Sequence, residues 1–165
     1  MAILLPGGAG YIGSHTAVEL LNAGKEIVII DNFSNSKPEV LDKIKQITGK
    51  DFKFYEMDYS NKEELNKVFT ENKIDAVLNF AGYKAVGESV KKPIEYYMNN
   101  ISGALVLLDV MRAHNCKKFI FSSSATVYGD PATVPITEDF PTGGTTNPYG
   151  TTKLFIEQIL KDIYN

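Results

Sequence analysis

Apolar residues fall in short blocks separated by longer stretches with helical spacing. Ala2 to Leu5 is a brief apolar run, and Gly7, Gly8, Gly10 and Gly13 follow it at once. Glu26 to Ile30 is a second run that ends at Asp31, and Ile74 to Ala81 and Lys118 to Ser122 supply two more. Phe52 to Met57 alternates apolar and polar residues, as a strand with one less-covered face does. Between the blocks, apolar positions recur with helical period over Tyr11 to Ala23, Lys37 to Ile47, Lys62 to Thr70, Pro93 to His114 and Tyr149 to Ile163. Strands alternating with helices in this way predict parallel pairing through right-handed crossovers, with helices on both sheet faces. The expected fold class is therefore α/β, a doubly wound parallel sheet of about five strands. Thr133 to Asn147, rich in Thr, Gly and Pro, is the one long irregular stretch, and such loops often carry function.

Composition narrows the chemistry without changing this picture. A chain of 165 residues suits one domain, and 44% hydrophobic with 22% charged residues is ordinary for a globular protein. A net charge of −3 argues against a nucleic-acid partner or an anionic membrane surface, which call for clustered Lys and Arg. Lys43, Lys45 and Lys50 read as a solvated face. Cys116, the single cysteine, cannot form a disulfide framework and suits a reducing compartment. Two histidines and one cysteine without ligand spacing suggest no metal site. No apolar run approaches the ~20 residues of a membrane span, and Met1 to Leu5 lacks the basic start of a signal peptide. These features together point to a cytoplasmic protein.

The glycines carry the first chemistry. Gly8-Ala9-Gly10-Tyr11-Ile12-Gly13 has G-x-G-x-x-G spacing, with Gly7 ahead of it. The loop follows the first strand, opens a helix, and has Asp31 at the end of the next strand. In that context glycines permit a tight turn, and the helix start offers free N–H groups to a pyrophosphate. Asp31 can accept from a ribose 2′-hydroxyl and would repel a 2′-phosphate, so NAD is favoured over NADP. A P-loop does not fit, because Ser14 and His15 follow Gly13.

Tyr149 and Lys153 carry the second. Four residues apart, they share one face of a helix. An unperturbed phenol titrates near ~10, and a neighbouring cation favours the phenolate. Tyr149 could then take a hydroxyl proton while hydride leaves the same carbon for the cofactor. Ser122-Ser123-Ser124 closes the fifth strand, where doubly wound folds bind ligands. Ser124 is the natural hydroxyl to orient a substrate oxygen, with Thr126 as a second donor. His15 reads as a packing or capping residue, and His114 suits a helix end.

Together these residues resemble the extended short-chain dehydrogenase/reductase family with its Rossmann-like domain, and within it the UDP-glucose 4-epimerases. Gly7 to Thr16, Asp31 to Ser36, Phe80 to Ser89, Pro93 to Tyr97, Asn99-Asn100, Phe121 to Gly129 and Asn147 to Gly150 carry the likeness. The resemblance implies that Gly7, Gly10, Tyr11, Ile12 and Gly13, and Asp31, Asn32, Phe33, Ser34, Asn35 and Ser36, line NAD. It further implies Asp58 and Tyr59 near the adenine, and Phe80, Ala81, Gly82, Tyr83, Lys84 and Asn99 along the cofactor. Ser124, Tyr149 and Lys153 would be catalytic and touch the cofactor, with Ser124, Thr126 and Tyr149 facing the substrate. The implied reaction interconverts UDP-galactose and UDP-glucose through a 4-keto sugar, with NAD retained throughout, in galactose metabolism. Dehydratases and decarboxylases of this family carry a carboxylate just after the serines; Ala125-Thr126 here favours plain epimerisation.

Several positions depart from the family pattern. Pro6 stands where a small hydroxyl residue is usual and removes an N–H from an expected central strand. Tyr59, Asn79, Tyr83 and Met98 replace the usual aliphatic, His, Leu and acidic residues. Relatives also continue into further strands and a C-terminal domain that grips the nucleotide sugar, whereas this sequence stops at Asn165. The expectation is a single NAD-binding domain, residues 1–165, without the substrate domain. Its last strand is left as an edge, and the apolar Tyr149 to Ile163 band is partly free for a homodimer partner, as is Pro93 to His114. A non-catalytic NAD-binding fragment is the alternative.

Overall fold

Ala2–Pro6 (β1), Glu26–Asp31 (β2), Lys53–Glu56 (β3), Ile74–Asn79 (β4) and Lys118–Phe121 (β5) form one sheet. The structure is a computed structural model that describes residues 1–164. Every strand pair is parallel, in the order β3-β2-β1-β4-β5. The chain divides into two compact units, Met1–Ala81 with Leu105–Ser122, and Gly82–Ala104 with the residues from Ser123 onward.

The first unit holds the sheet. Its helices are Tyr11–Asn22 (α1), Glu39–Thr48 (α2), Lys62–Glu71 (α3) and most of Gly103–Ala113. The central strands read as unbroken apolar runs because both faces are covered. Leu5, Ile27 and Ile29 pack with Ala17, Leu21 and Ile44 of α1 and α2. Leu4, Val28, Ile30 and Val77 point the other way, onto Leu65, Val68 and Phe69 of α3 and onto Leu107, Val110 and Met111. One step along a strand reverses the face, so adjacent leucines in β1 serve opposite layers.

Pro6 completes β1 rather than breaking it. Its carbonyl accepts the Phe80 N–H at 2.9 Å, and Gly7 donates to the Ile30 carbonyl at 2.9 Å. Parallel ladders alternate sides from residue to residue, so the missing donor weakens only the β4 side at the last rung. β4 stops at Asn79, short of the expected Ala81. The reason is local: the Asn79 Oδ1 accepts the Ala81 N–H at 3.1 Å and turns the chain out of the sheet. Lys50 is not simply solvated either, because its Nζ donates to the Leu21 carbonyl and caps the end of α1.

The second unit holds Val86–Lys91 (α4), Pro93–Tyr97 (α5), the start of Gly103–Ala113 (α6), a 3-10 turn at Ala125–Tyr128 and Pro148–Tyr164 (α7). The helix expected over Pro93 to His114 runs unbroken to Ala113, but its winding changes on the way. Met98–Ser102 is a π turn between α5 and α6. One extra residue per turn there changes the faces that Asn99 and Asn100 present, and π turns gather at functional sites. α4 was not visible as a period, because six residues with one buried side chain, Ser89, leave none to see. Among the described residues, no helix is long and apolar enough to cross a membrane.

Candidate functional site

The carboxyl ends of β1, β2 and β4 bring the first group of expected residues together, all within the first unit. The glycine loop is shaped by close backbone approach. Gly7 has φ of +72°, and a Cβ there would lie 2.7 Å from the Ala81 nitrogen. A Cβ on Gly13 would lie 2.5 Å from the Gly7 carbonyl oxygen and 2.8 Å from the Gly8 Cα. The N–H groups of Gly7, Gly8 and Gly10 are spent on Ile30, Leu5 and Gly7 carbonyls. The first turn of α1 has no side-chain cap, and the exposed Tyr11 and Ile12 open it. Its leading N–H groups, Tyr11 to Gly13, are thus available to an anion.

Asp31 organises the facing loop. Its Oδ2 accepts the Ala9 N–H at 3.1 Å, and its Oδ1 accepts the Phe33 N–H at 3.0 Å and the Ser36 hydroxyl at 2.8 Å. Asn32 donates from Nδ2 to Asp58 Oδ2 at 3.1 Å and accepts the Ser34 N–H at Oδ1. Burial pushes the Asp58 carboxyl up, but the hydroxyl and N–H of Ser60 and the Asn32 amide outweigh it and leave it below the usual range. Tyr59 beside it is buried in the core, whereas Asn35 is exposed. Past the end of β4, Ala81 packs against the same cluster as Tyr59, and Phe80 against the cluster on the other sheet face.

The second unit holds the catalytic candidates. Asn147 starts α7, its Oδ1 accepting the Gly150 N–H at 2.8 Å. Tyr149 is half-buried, and the Lys153 Nζ lies 5.8 Å from its ring centroid. Lys153 is 6% exposed, and burial pushes its ammonium down to about 8. Ser124 precedes the 3-10 turn; its Oγ accepts the Thr126 N–H at 3.3 Å and the Thr126 hydroxyl at 2.9 Å. Both lone pairs are occupied, so the Ser124 proton is the part left to offer. Thr126 differs from the expectation of a second donor, because its own proton goes to Ser124.

Asn100 is the residue that sequence reasoning quoted but gave no task. It is 2% exposed and lies in the π turn. Its Oδ1 accepts from the Tyr83 N–H at 2.7 Å and from the Asn99 amide at 2.9 Å. Its Nδ2 donates to the Tyr83 carbonyl at 3.0 Å and to the buried Thr152 hydroxyl at 3.1 Å. One carboxamide thereby fastens the Gly82-Tyr83-Lys84 loop to the helix of Tyr149 and Lys153. Tyr83 also packs its ring on Tyr96 at 5.4 Å, and Lys84 is exposed. Burial and the Glu88 carboxylate push the Tyr96 phenol up to about 12, and its hydroxyl ties the Ala85 backbone to Glu88. His15 rests on Tyr11, with Nδ1 2.8 Å from its carbonyl, and His114 sits beyond α6 near Asn66.

A cleft of about 520 Å³ opens at the amino ends of β1 and β2, lined by Glu26, Lys53, Glu71 and Asn72 among others. None of the expected site residues lines it. Among the described residues, no group of His, Cys, Asp and Glu is placed to hold a metal ion.

The family model described as "NAD dependent epimerase/dehydratase family" matches residues 3–165. UDP-glucose 4-epimerase of Haemophilus influenzae is 63% identical over 162 residues, 98% of this chain and 48% of that protein. The Bacillus subtilis UDP-glucose 4-epimerase is 61% identical over 164 residues, 99% of this chain and 48% of the relative. The crystal structure of UDP-glucose 4-epimerase from Bifidobacterium longum in complex with NAD+ and UDP superposes with a TM-score of 0.98 at 58% identity, covering 99% of this chain and 49% of that one. The chain spans about half the length of the curated relatives it matches. A glycine loop at the carboxyl end of β1, an acid at the end of β2 and a Tyr–Lys helix all lie inside the matched span, and the chain belongs to the NAD dependent epimerase/dehydratase family.

Proposed function

We propose that residues 1–165 are the NAD-binding domain of a UDP-glucose 4-epimerase, which interconverts UDP-galactose and UDP-glucose. The observation that carries this is the Tyr149–Lys153 pair on α7, in one unit with a Ser124 whose proton is uncommitted. Relatives at 61–63% identity that bear this name support the substrate class. The reading includes a cytoplasmic location and a homodimer that pairs through the Pro93 to His114 and Tyr149 to Ile163 segments. Exposed Ile94, Met98, Leu105 and Phe155 on those segments support the pairing.

The residues fit NAD. Gly7 and Gly13 leave no room for a Cβ against the backbone of Ala81, Gly7 and Gly8, so the loop folds tightly and leaves the uncapped start of α1 to offer its N–H groups to a pyrophosphate. Asp31 keeps unused acceptor capacity on Oδ2 for a ribose hydroxyl, and its charge opposes a 2′-phosphate. Bound NAD supplies the hydride acceptor and donor for the C4 carbon of the sugar. Ser124 donates a hydrogen bond to the 4-oxygen and orients it, keeping its own proton. Tyr149 takes the proton of that oxygen and later gives it back. The buried Lys153 ammonium, still mostly protonated at pH 7 with a value of about 8, lies 5.8 Å from the Tyr149 ring centroid and supplies a positive charge beside this base. Asn100 keeps the Lys84 loop and α7 in register while the proton moves.

The first test is a titration of the purified chain with NAD+, with NADP+ in parallel, followed by an assay of UDP-galactose conversion. Saturable binding that prefers NAD+ together with turnover supports the epimerase. Binding without turnover favours a non-catalytic NAD-binding fragment. A folded chain that binds neither cofactor overturns the assignment.

A further inference from the structure

Among the described residues, two that are not glycine have positive φ, Phe33 at 53° and Asn115 at 54°. Asparagine tolerates the left-handed region, but a bulky side chain there is an outlier that its surroundings must hold in place. Phe33 is held at both ends. Its N–H donates to Asp31 Oδ1 at 3.0 Å, and its half-buried ring packs on Phe54 with centroids 5.3 Å apart. Phe54 is itself fixed, paired with Ile29 in the sheet and packed against the core beneath α1 and α2. The turn this imposes also lets Ser36 reach Asp31 Oδ1 at 2.8 Å. Three donors then set the carboxylate: two on Oδ1, and Ala9 of the glycine loop on Oδ2. A carboxylate has about four acceptor positions, so the one left open lies on Oδ2.

We propose that Phe33 and Phe54 form a ring clasp that holds Asp31 ready for the cofactor ribose, and that preference for NAD+ over NADP+ depends on this clasp as well as on the Asp31 charge. Both rings are positioning residues that act through Asp31. The proposal rests on the reading of the glycine loop and Asp31 as an NAD site. Without the clasp, the loop must be ordered at the moment of binding, and affinity falls by that ordering cost. NADP+ gains nothing from a fixed Asp31, since its 2′-phosphate is repelled there. Loss of the clasp therefore lowers the selectivity ratio, which a ring contact with a purely structural role would leave unchanged.

The test titrates the parent chain, Phe33→Gly, Phe54→Ala and Phe54→Tyr with NAD+, NADP+ and ADP, each well below its own thermal midpoint. Phe33→Gly keeps a residue that adopts the turn freely, and Phe54→Tyr keeps the ring. Expected is a loss of about tenfold in NAD+ and ADP affinity for Phe33→Gly and Phe54→Ala, with NADP+ hardly changed, and recovery in Phe54→Tyr. Phe33→Gly binding NAD+ as tightly as the parent, at the same ratio to NADP+, overturns the clasp while leaving the NAD site standing. A folded parent that binds neither NAD+ nor ADP overturns the NAD reading and the clasp with it. If Phe54→Ala proves unfolded, Phe33→Gly and Phe54→Tyr decide the matter alone.

Discussion

Lys153 is a charge kept where solvent barely reaches, and its cost can be read in stability. Burial lowers it from 10.5 to about 8, so between those values the unfolded chain holds more protons than the folded one. Stability therefore rises with pH across that window, and below pH 8 the buried cation costs about 3 kcal/mol at most. Lys153→Met removes the charge and keeps the length. The variant should be more stable than the parent at pH 7, with the gap closing by pH 10.5; urea unfolding at several pH values measures it. Tyr149→Phe tests the other half of the pair. It should cost at least about a hundredfold in UDP-galactose turnover while NAD+ affinity stays near the parent's. Equal turnover in the two proteins would remove Tyr149 as the base.

Elements were legible in the sequence where each residue answers to its near neighbours. The five strands and the helices α1, α2, α3 and α7 follow from apolar spacing, with every end within two residues of the expectation. The π turn was not legible, because Met98–Ser102 keeps the apolar spacing of a plain helix and differs only in backbone winding. The work of Asn100 was hidden for another reason. Its partners lie 17 and 52 residues away, and no periodicity encodes a hydrogen bond across that distance. At the site, Tyr149, Lys153, Ser124 and Asp31 were recognised from motif and resemblance, whereas the engagement of the Thr126 proton required coordinates. Asn100→Ala leaves the Tyr83 N–H and carbonyl without this partner and should cost about 3 kcal/mol in denaturant unfolding. Gly13→Ala drives a Cβ to within 2.5 Å of the Gly7 carbonyl oxygen and should lower NAD+ affinity more than about tenfold, measured by titration.

On the scale of the whole molecule, β5 is one of the two flanks of the sheet. It pairs with β4 on one side only, and Ile120 is 62% exposed on it. A parallel edge with an apolar residue in view invites further strands. Ile120→Lys should reduce concentration-dependent association in sedimentation without changing NAD+ binding. The strand order has a second consequence, for synthesis. β1 is the middle of the sheet and leaves the ribosome first, yet its neighbour β4 begins only at Ile74. Until then a nascent chain carries Leu4 and Leu5 on a strand bare along one side. The interval before Ile74–Asn79 has followed β1 out of the ribosome is when a chaperone has the most to shield.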